Sequence, residues 1–322
     1  MRPVLVSNYA SDPEKMAGLD ELGMRIFGIS FVKWKEQGLL GDNYIPYSFF
    51  SDGKVISNVS ANLYTAQIYD KTYEVVQIGT VMTDPDYRGQ GLAARLMREL
   101  LSNYYRENTL LFLFANASVL AFYPKFGFVR SGQKRYVFDA DALREVSREN
   151  TFRKLDWAIS ADRELFMRIA SDRTPISRQF GLQGSSSPRM IYLTDDAYNQ
   201  SLYYSESRDI AVCMSVEKEQ ITVHDIFLRK GRSVLSVSET NQILADLLPV
   251  NTTRIVCDCM IDTDMLPSSD ELEWGEHDAL FVLASEPTIL PGGALVFANK
   301  GIHMAAPPLD LCGFRVTGLD HT

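Results

Sequence analysis

The run Thr83-Asp84-Pro85-Asp86-Tyr87-Arg88-Gly89-Gln90-Gly91-Leu92-Ala93 holds a proline turn, an arginine and two glycines one residue apart. Residues of these types can bind phosphate. Glycine lets the backbone take positive φ and come close to a ligand, and the first turn of a following helix carries amide N–H groups without intrahelical partners. The helix dipole concentrates roughly half a positive charge at the same end. A diphosphate seated there would receive several N–H bonds, with Arg88 adding a charge-assisted one. On these residues alone a second reading stays open, a plain left-handed turn joining a strand to a helix.

The flanking patterns supply the elements that such a loop needs. EVVQIGTVMT reads as a strand before it, and LAARLMRELLSNYY has apolar residues at helical spacing after it. LLFLFANA follows as a buried strand, ASVLAFYPKFGF as a short helix ending before Gly127, and RYVFDA as a last strand. Upstream, PEKMAGLDELGMRIFG and parts of FVKWKEQGLL read as helices, and YSFFSDGKVISNVSANLYTAQI as two strands about an Asp52-Gly53 turn. Helices thus alternate with strands around a mixed sheet, an α/β architecture of the α+β mixed-sheet kind. DADALREVSREN, charged and flexible-looking, is the best candidate for a linker, which divides the chain into residues 1–140, a linker at 141–150 and a second unit at 151–322.

Two motifs in the first unit carry a resemblance. Arg88-Gly89-Gln90-Gly91-Leu92-Ala93 resembles the Q/R-x-x-G-x-G/A pyrophosphate loop of the GCN5-related N-acetyltransferase (GNAT) superfamily. NASVLAFYPKFGF resembles that family's second motif: an Asn, a Tyr seven residues later and a Lys-x-Gly-Phe-like ending. One helix and one strand separate the two, as in the family. The resemblance implies a GNAT fold that binds acetyl-CoA. Val81, Met82 and Thr83 would pair with the pantetheine arm, and the amides of Arg88, Gly89, Gln90, Gly91, Leu92 and Ala93 would hold the pyrophosphate. Asn116 and Ser118 would stand where the next strand splays away to admit the thioester. For Ser118, a small polar cap at a strand end is an equal alternative.

By the same resemblance Tyr123 is the general acid. An amine attacking a thioester passes through a tetrahedral oxyanion and expels a thiolate, which a phenol with a pKa of about 10 can protonate at neutral pH. The alternative is a core tyrosine packed on Phe126 and Phe128. A backbone N–H near Met82 would meet the oxyanion. The family's within-strand base is missing, since no carboxylate lies between Val75 and Met82. Glu74, or Asp70 before it, could accept a proton through water, against the plainer reading of solvated strand-end charges.

Composition restricts partners. A chain of 322 residues with 46% hydrophobic and 23% charged residues is long enough for two cores. A net charge of −9 argues against nucleic acid or an anionic membrane and weakly suggests cationic acceptors. No secretory signal pattern opens the chain, and no apolar run approaches the roughly 20 residues that span a bilayer, so a soluble cytoplasmic protein is expected. The four cysteines, Cys213, Cys257, Cys259 and Cys312, are too few and scattered for a disulfide framework, and Cys257 with Cys259 read as buried structural thiols on one strand face. The four histidines, His224, His277, His303 and His321, include no i,i+4 pair, so no metal site is expected.

The second unit repeats the order of the first. FRKLDWAISADRELFMRIAS resembles the family's first strand and helix, ITVHDIFLRKGRSVLSVSETNQILADLL repeats strand, basic loop and helix, and TRIVCDCMI follows as a strand. The expectation is a second, degenerate GNAT-like domain in tandem, with a sterol-carrier-like α+β lobe as the alternative. Its loop Arg229-Lys230-Gly231-Arg232-Ser233 lacks paired glycines, so it should bind no CoA and instead wall the acceptor site. The expected activity is N-acetyl transfer from acetyl-CoA to a primary amine of a small molecule or peptide. A non-catalytic acyl-CoA sensor or interaction module is the alternative. A chain ending near Glu149 is expected to retain some CoA binding if it stays soluble, while losing turnover of the natural amine.

Overall fold

Capping chemistry and apolar spacing set the first elements of the computed structural model, which describes residues 2–68, 71–107, 109–131, 133–178, 181–183, 201–257, 259, 261–262, 266, 270–274 and 278–284. After β1 (Val4–Ser7), α1 (Pro13–Phe27) starts with Pro13 at its first position and the Asp12 side chain accepting from the amides of Glu14 and Lys15. It buries Met16, Leu19 and Leu22 and stops at Gly28 in the left-handed region. Ser30 caps α2 (Phe31–Glu36). The hairpin of β2 (Tyr44–Ser51) and β3 (Lys54–Ile68) turns through Asp52 and Gly53, both at positive φ, as a two-residue turn requires. Next come β4 (Lys71–Thr83), α3 (Leu92–Tyr104), β5 (Thr109–Asn116), β6 (Val129–Ser131) and β7 (Gln133–Asp139).

The second half begins with β8 (Phe152–Lys154), α4 (Ser160–Ser171), β9 (Arg173–Thr174) and β10 (Gly181–Gln183). It continues with β11 (Ser201–Ser205), β12 (Ile210–Glu217), β13 (Gln220–Arg229), α5 (Val237–Leu247), β14 (Arg254–Cys257), β15 (Asp270–Trp274) and β16 (Asp278–Ala284).

Two mixed sheets result, and their orders match. The first runs β1-β2-β3-β4-β5-β16-β6 and the second β8-β11-β12-β13-β14-β7-β15. In each the first four strands are antiparallel, the fourth and fifth are parallel, and the sixth place is filled by an antiparallel strand from the other half of the chain. β7, continuous in sequence with the first unit, pairs with β14 and β15, whereas β16 inserts between β5 and β6. β10 also crosses over, pairing with β3. The tandem mixed-sheet reading therefore describes the chain, while the strands are exchanged across residue 140. This revises the reading of RYVFDA as the last strand of the first unit, since it belongs to the second sheet.

Two further readings change. Residues 141–150 are docked rather than free: Leu143 is buried, the Asp246 carboxylate accepts from the Glu149 amide (2.7 Å) and Thr151 hydroxyl (3.2 Å), and Arg148 donates to the Leu248 carbonyl (2.8 Å). The expected helix in ASVLAFYPKFGF is two tight 3-10 turns, Ala117–Val119 and Tyr123–Phe126, since Pro124 has no N–H to extend an α-helical ladder.

The layers share their cores. α3 lays Leu92, Leu96, Met97 and Leu100 on one face of the first sheet, against Tyr47, Val59, Ile78 and Leu111. On the opposite face, Met16, Leu19, Phe31 and Trp34 from α1 and α2 join Leu155, Phe166, Ile169 and Phe227 of the second half in one cluster. Phe166 and Phe227 meet edge to face at 5.0 Å between centroids. The two halves are thus joined by core packing as well as by strand exchange. Among the described residues no helix is long and apolar enough to cross a membrane.

Candidate active site

At the end of β4 the chain turns on Asp84, whose side chain accepts from the Asp86 amide (3.0 Å) and pairs with Arg25 of α1. Gly89 and Gly91 follow with φ of 75° and 70°, and a Cβ on either would meet nothing within 4 Å. The space in front of the loop is open, and the strained φ values are ones that side chains rarely adopt. Gly91 is the N-cap of α3 and offers no side chain to its first-turn amides. Arg88 is solvent-exposed, and its Nε donates to the Thr83 carbonyl at 3.3 Å. An uncapped helix N-terminus behind two left-handed glycines suits an anion.

Beside this loop the first sheet comes apart. β4 pairs with β5 only from Glu74↔Thr109 to Gln77↔Phe112, although β4 runs on to Thr83 and β5 to Asn116. β5 turns its other edge to β16, with Asn116 opposite Asp278. Ile78 to Thr83 and Leu113 to Asn116 therefore flank an unpaired gap that opens toward the glycine loop. Val81, Met82 and Thr83 lie on one wall. Asn116 and Ser118 end the other, joined by a bond from the Ser118 hydroxyl to Asn116 Oδ1 (2.7 Å).

On its other side β4 carries a bulge. Asn58 pairs with Met82 and Ser60 with Gly79, which leaves Thr80 and Val81 opposite the single residue Val59. Thr80 has φ 47°, unusual for a β-branched residue and costing on the order of 1–3 kcal/mol. A buried polar set surrounds it. Asn58 Nδ2 donates to the Thr80 carbonyl (2.9 Å), Ser48 donates to Asn58 Oδ1 (2.8 Å), and Thr80 Oγ1 donates to Ser60 Oγ (2.8 Å). Ser60 in turn donates to Tyr44 (2.8 Å). Sequence reading passed over these residues; the signal was the alternation Asn58, Ser60, Asn62 in an otherwise apolar strand.

Tyr123 lies in the core beneath α3. It is 4% exposed, with Phe122, Phe128 and Phe281 at centroid distances of 5.2, 6.3 and 5.6 Å. Burial pushes its phenol well above the ordinary tyrosine value, so the proton is retained throughout the usual pH range. Its surroundings are those of the core-tyrosine reading, a ring packed among aromatics. Glu74 is not brought to the gap. It sits at the opposite end of β4, eight positions before Met82, or ~26 Å along a strand at about 3.3 Å per residue. There its carboxylate pairs with Arg106 (2.7 Å) at an exposed surface, which corrects its assignment as a base. Asp70 falls outside the described residues, as do Cys312, His277, His303 and His321.

The family model described as an acetyltransferase (GNAT) domain matches residues 33–130, a span that holds the bulge, gap, glycine loop and Tyr123. Residues 33–130 thus carry a GNAT domain. Solved structures share the fold over most of the chain. A conserved protein of Enterococcus faecalis, titled a probable N-acyltransferase, has a TM-score of 0.56 at 16% identity over 88% of this chain and 72% of its own. A GCN5-related N-acetyltransferase of Anabaena variabilis has a TM-score of 0.54 at 15% identity over 87% and 72%. Eis1 of Mycobacterium abscessus has 0.53 at 14% identity over 86% and 73%. No curated protein matches the sequence.

The second half repeats the bulge but not the loop. Among the described residues β13 pairs with β14 from Gln220↔Arg254 to Val223↔Cys257, and the β12–β13 register shift leaves His224 as the extra residue, its Nε2 2.9 Å from the Ser215 hydroxyl. At α5, Ser236 and Glu239 form a reciprocal capping box, and Arg232 pairs with Glu239 (3.2 Å). Arg229 pairs with Asp209 (3.0 Å) and Lys230 with Asp172 (2.9 Å). Arg229, Lys230 and Arg232 are thus already paired with the chain's own carboxylates. Cys213, Cys257 and Cys259 are buried, with no disulfide among the described residues.

Proposed function

We propose that the protein is an N-acetyltransferase that moves an acetyl group from acetyl-CoA to a primary amine of a small molecule or peptide. The observation that carries this reading is the unpaired β4–β5 gap lying beside an uncapped, glycine-led helix N-terminus. The amides from Arg88 to Ala93 bind the pyrophosphate. Val81, Met82 and Thr83 align the pantetheine arm, with Asn116 and Ser118 bonding its amides from the other wall. This places the thioester against the bulge.

The amine nitrogen then attacks the carbonyl carbon, and a backbone N–H of the bulge receives the developing oxyanion. As the C–S bond breaks, the Tyr123 hydroxyl hydrogen-bonds the leaving sulfur and delivers its proton. The ammonium product loses its extra proton to water, since the strand from Val75 to Met82 holds no carboxylate. That gap in the base assignment is the one observation favouring the other reading, an acyl-CoA sensor without turnover. Few and scattered cysteines, without a disulfide among the described residues, fit a reducing compartment such as the cytoplasm.

Release of free CoA, followed with a thiol reagent across a panel of amines, separates the two. Turnover with any amine supports the transferase. Tight acetyl-CoA binding with no CoA release across the panel supports the sensor.

A further inference from the structure

We infer that Asn58 is the positioning residue that aims the Val81 N–H into the β4–β5 gap. The inference rests on the acetyl-transfer reading of that gap and goes beyond it by naming what sets the donor. Peptide groups are planar and trans, so the Thr80 carbonyl and the Val81 N–H point in opposite directions. Asn58 lies on β3 and holds the Thr80 carbonyl through Nδ2 at 2.9 Å. The Val81 N–H therefore points away from β3, toward the side where β4 has left β5, because their pairing ends at Gln77↔Phe112. A donor directed there meets a thioester carbonyl rather than a ladder partner.

The amide of Asn58 is itself fixed. Its Oδ1 accepts from Ser48 at 2.8 Å, Ser48 is bonded to Tyr9, and Nδ2 also reaches Ser60 Oγ at 2.9 Å and Thr80 Oγ1 at 3.1 Å. Ser48, Asn58 and Ser60 are 0% exposed. The left-handed conformation of Thr80 is what turns this carbonyl out of the ladder. An apolar side chain in this buried place would leave the Thr80 carbonyl without its Asn58 donor and free to turn. A fully bonded amide next to a strained residue instead specifies one peptide orientation.

The test compares Asn58→Leu with the pair Asn58→Leu/Thr80→Gly. Glycine takes φ near +47° without the β-branched penalty, so the second change restores the bulge without the amide. In Asn58→Leu, kcat should fall at least tenfold with the CoA dissociation constant changed less than twofold, and the paired variant should recover most of kcat. A readout independent of turnover is the Val81 amide resonance. It should shift when acetyl-CoA replaces CoA in the wild type and fail to do so in Asn58→Leu. Should Asn58→Leu not fold, Ser48→Ala frees the amide to rotate and should give the same signature at smaller size.

Wild-type kcat with an unaltered Val81 response in either single variant would overturn the inference. So would a kcat loss that Thr80→Gly does not rescue. A wild type that turns over no amine, yet shows the Val81 response, would sink the transferase reading and leave this one standing. A wild-type Val81 amide indifferent to the acetyl group would sink this one alone.

Discussion

Single residues decide whether the cleft can hold and process its ligand. At Gly91 the conformation is left-handed and a Cβ would meet no protein atom within 4 Å, so a substitution there acts on what approaches from outside and on local strain. Gly91→Val should raise the CoA dissociation constant at least tenfold, about 1.4 kcal/mol, in a protein that still folds. Calorimetry finding wild-type affinity would remove the loop from the site. Tyr123 gives a different kind of test. Its raised pKa makes it a reluctant acid, since handing a proton to a thiolate with a pKa of about 8.5 runs uphill until the ammonium releases its own. Tyr123→Phe should keep CoA affinity and lower kcat roughly 10²-fold. In the wild type the rate should rise with pH as the amine deprotonates, with no descending limb below pH 10, because the phenol is still protonated there. A falling limb between pH 8 and 10, or equal kcat in the two proteins, would return Tyr123 to a packing role.

Elements differ in what they leave available. α3 and α5 both follow the fourth strand of their sheet, yet only α3 begins on a glycine without a side-chain cap. At α5 the Glu239 carboxylate accepts from both the backbone N–H and the hydroxyl of Ser236, and three basic residues of the preceding loop are already paired with acids. An incoming diphosphate would have to displace these carboxylates, each held by charge-assisted bonds. Titration of the full chain should therefore give one CoA equivalent. Two equivalents of similar affinity would show that the second loop opens. The linker assignment failed at this scale for a related reason. Charge in DADALREVSREN suggested solvation, but Glu149 and Thr151 find their partner in Asp246, nearly a hundred residues away, a pairing that local pattern does not register.

The whole molecule is held together by the exchange of β7 and β16. Leu280, Phe281 and Val282 of β16 are each no more than 2% exposed. Burying three such side chains is worth roughly 1.5–3 kcal/mol apiece, as an upper estimate, which is comparable to the entire stability of a typical domain at about 5–15 kcal/mol. A chain ending at Glu149 lacks this strand and leaves β5 and β6 unpaired on their facing edges, with β7 deprived of its own sheet. Such a chain should be insoluble or fail to unfold cooperatively, and should bind CoA far more weakly than the full protein. A soluble 1–149 fragment with full-length affinity would contradict this account.

Sequence alone determined the local chemistry. The Asp52-Gly53 turn, the strand before Thr83, the two glycines and the helix after them follow from φ preferences and apolar periodicity, which act over a few residues. The second motif around Asn116 and Tyr123 was legible only through its resemblance to a family motif, whereas the repeated strand, loop and helix of the second half followed from local pattern. Only the tertiary structure decided which sheet each strand completes. RYVFDA reads as a strand in either sheet, and its partners in β14 and β15 lie more than a hundred residues away in sequence. The buried bonds at Thr80 were likewise hidden, since Ser48, Asn58 and Ser60 come together only when β2, β3 and β4 are in register. Glu74 was misplaced because the partner that holds its carboxylate at the surface, Arg106, lies 32 residues away in sequence, beyond what the strand's own pattern registers.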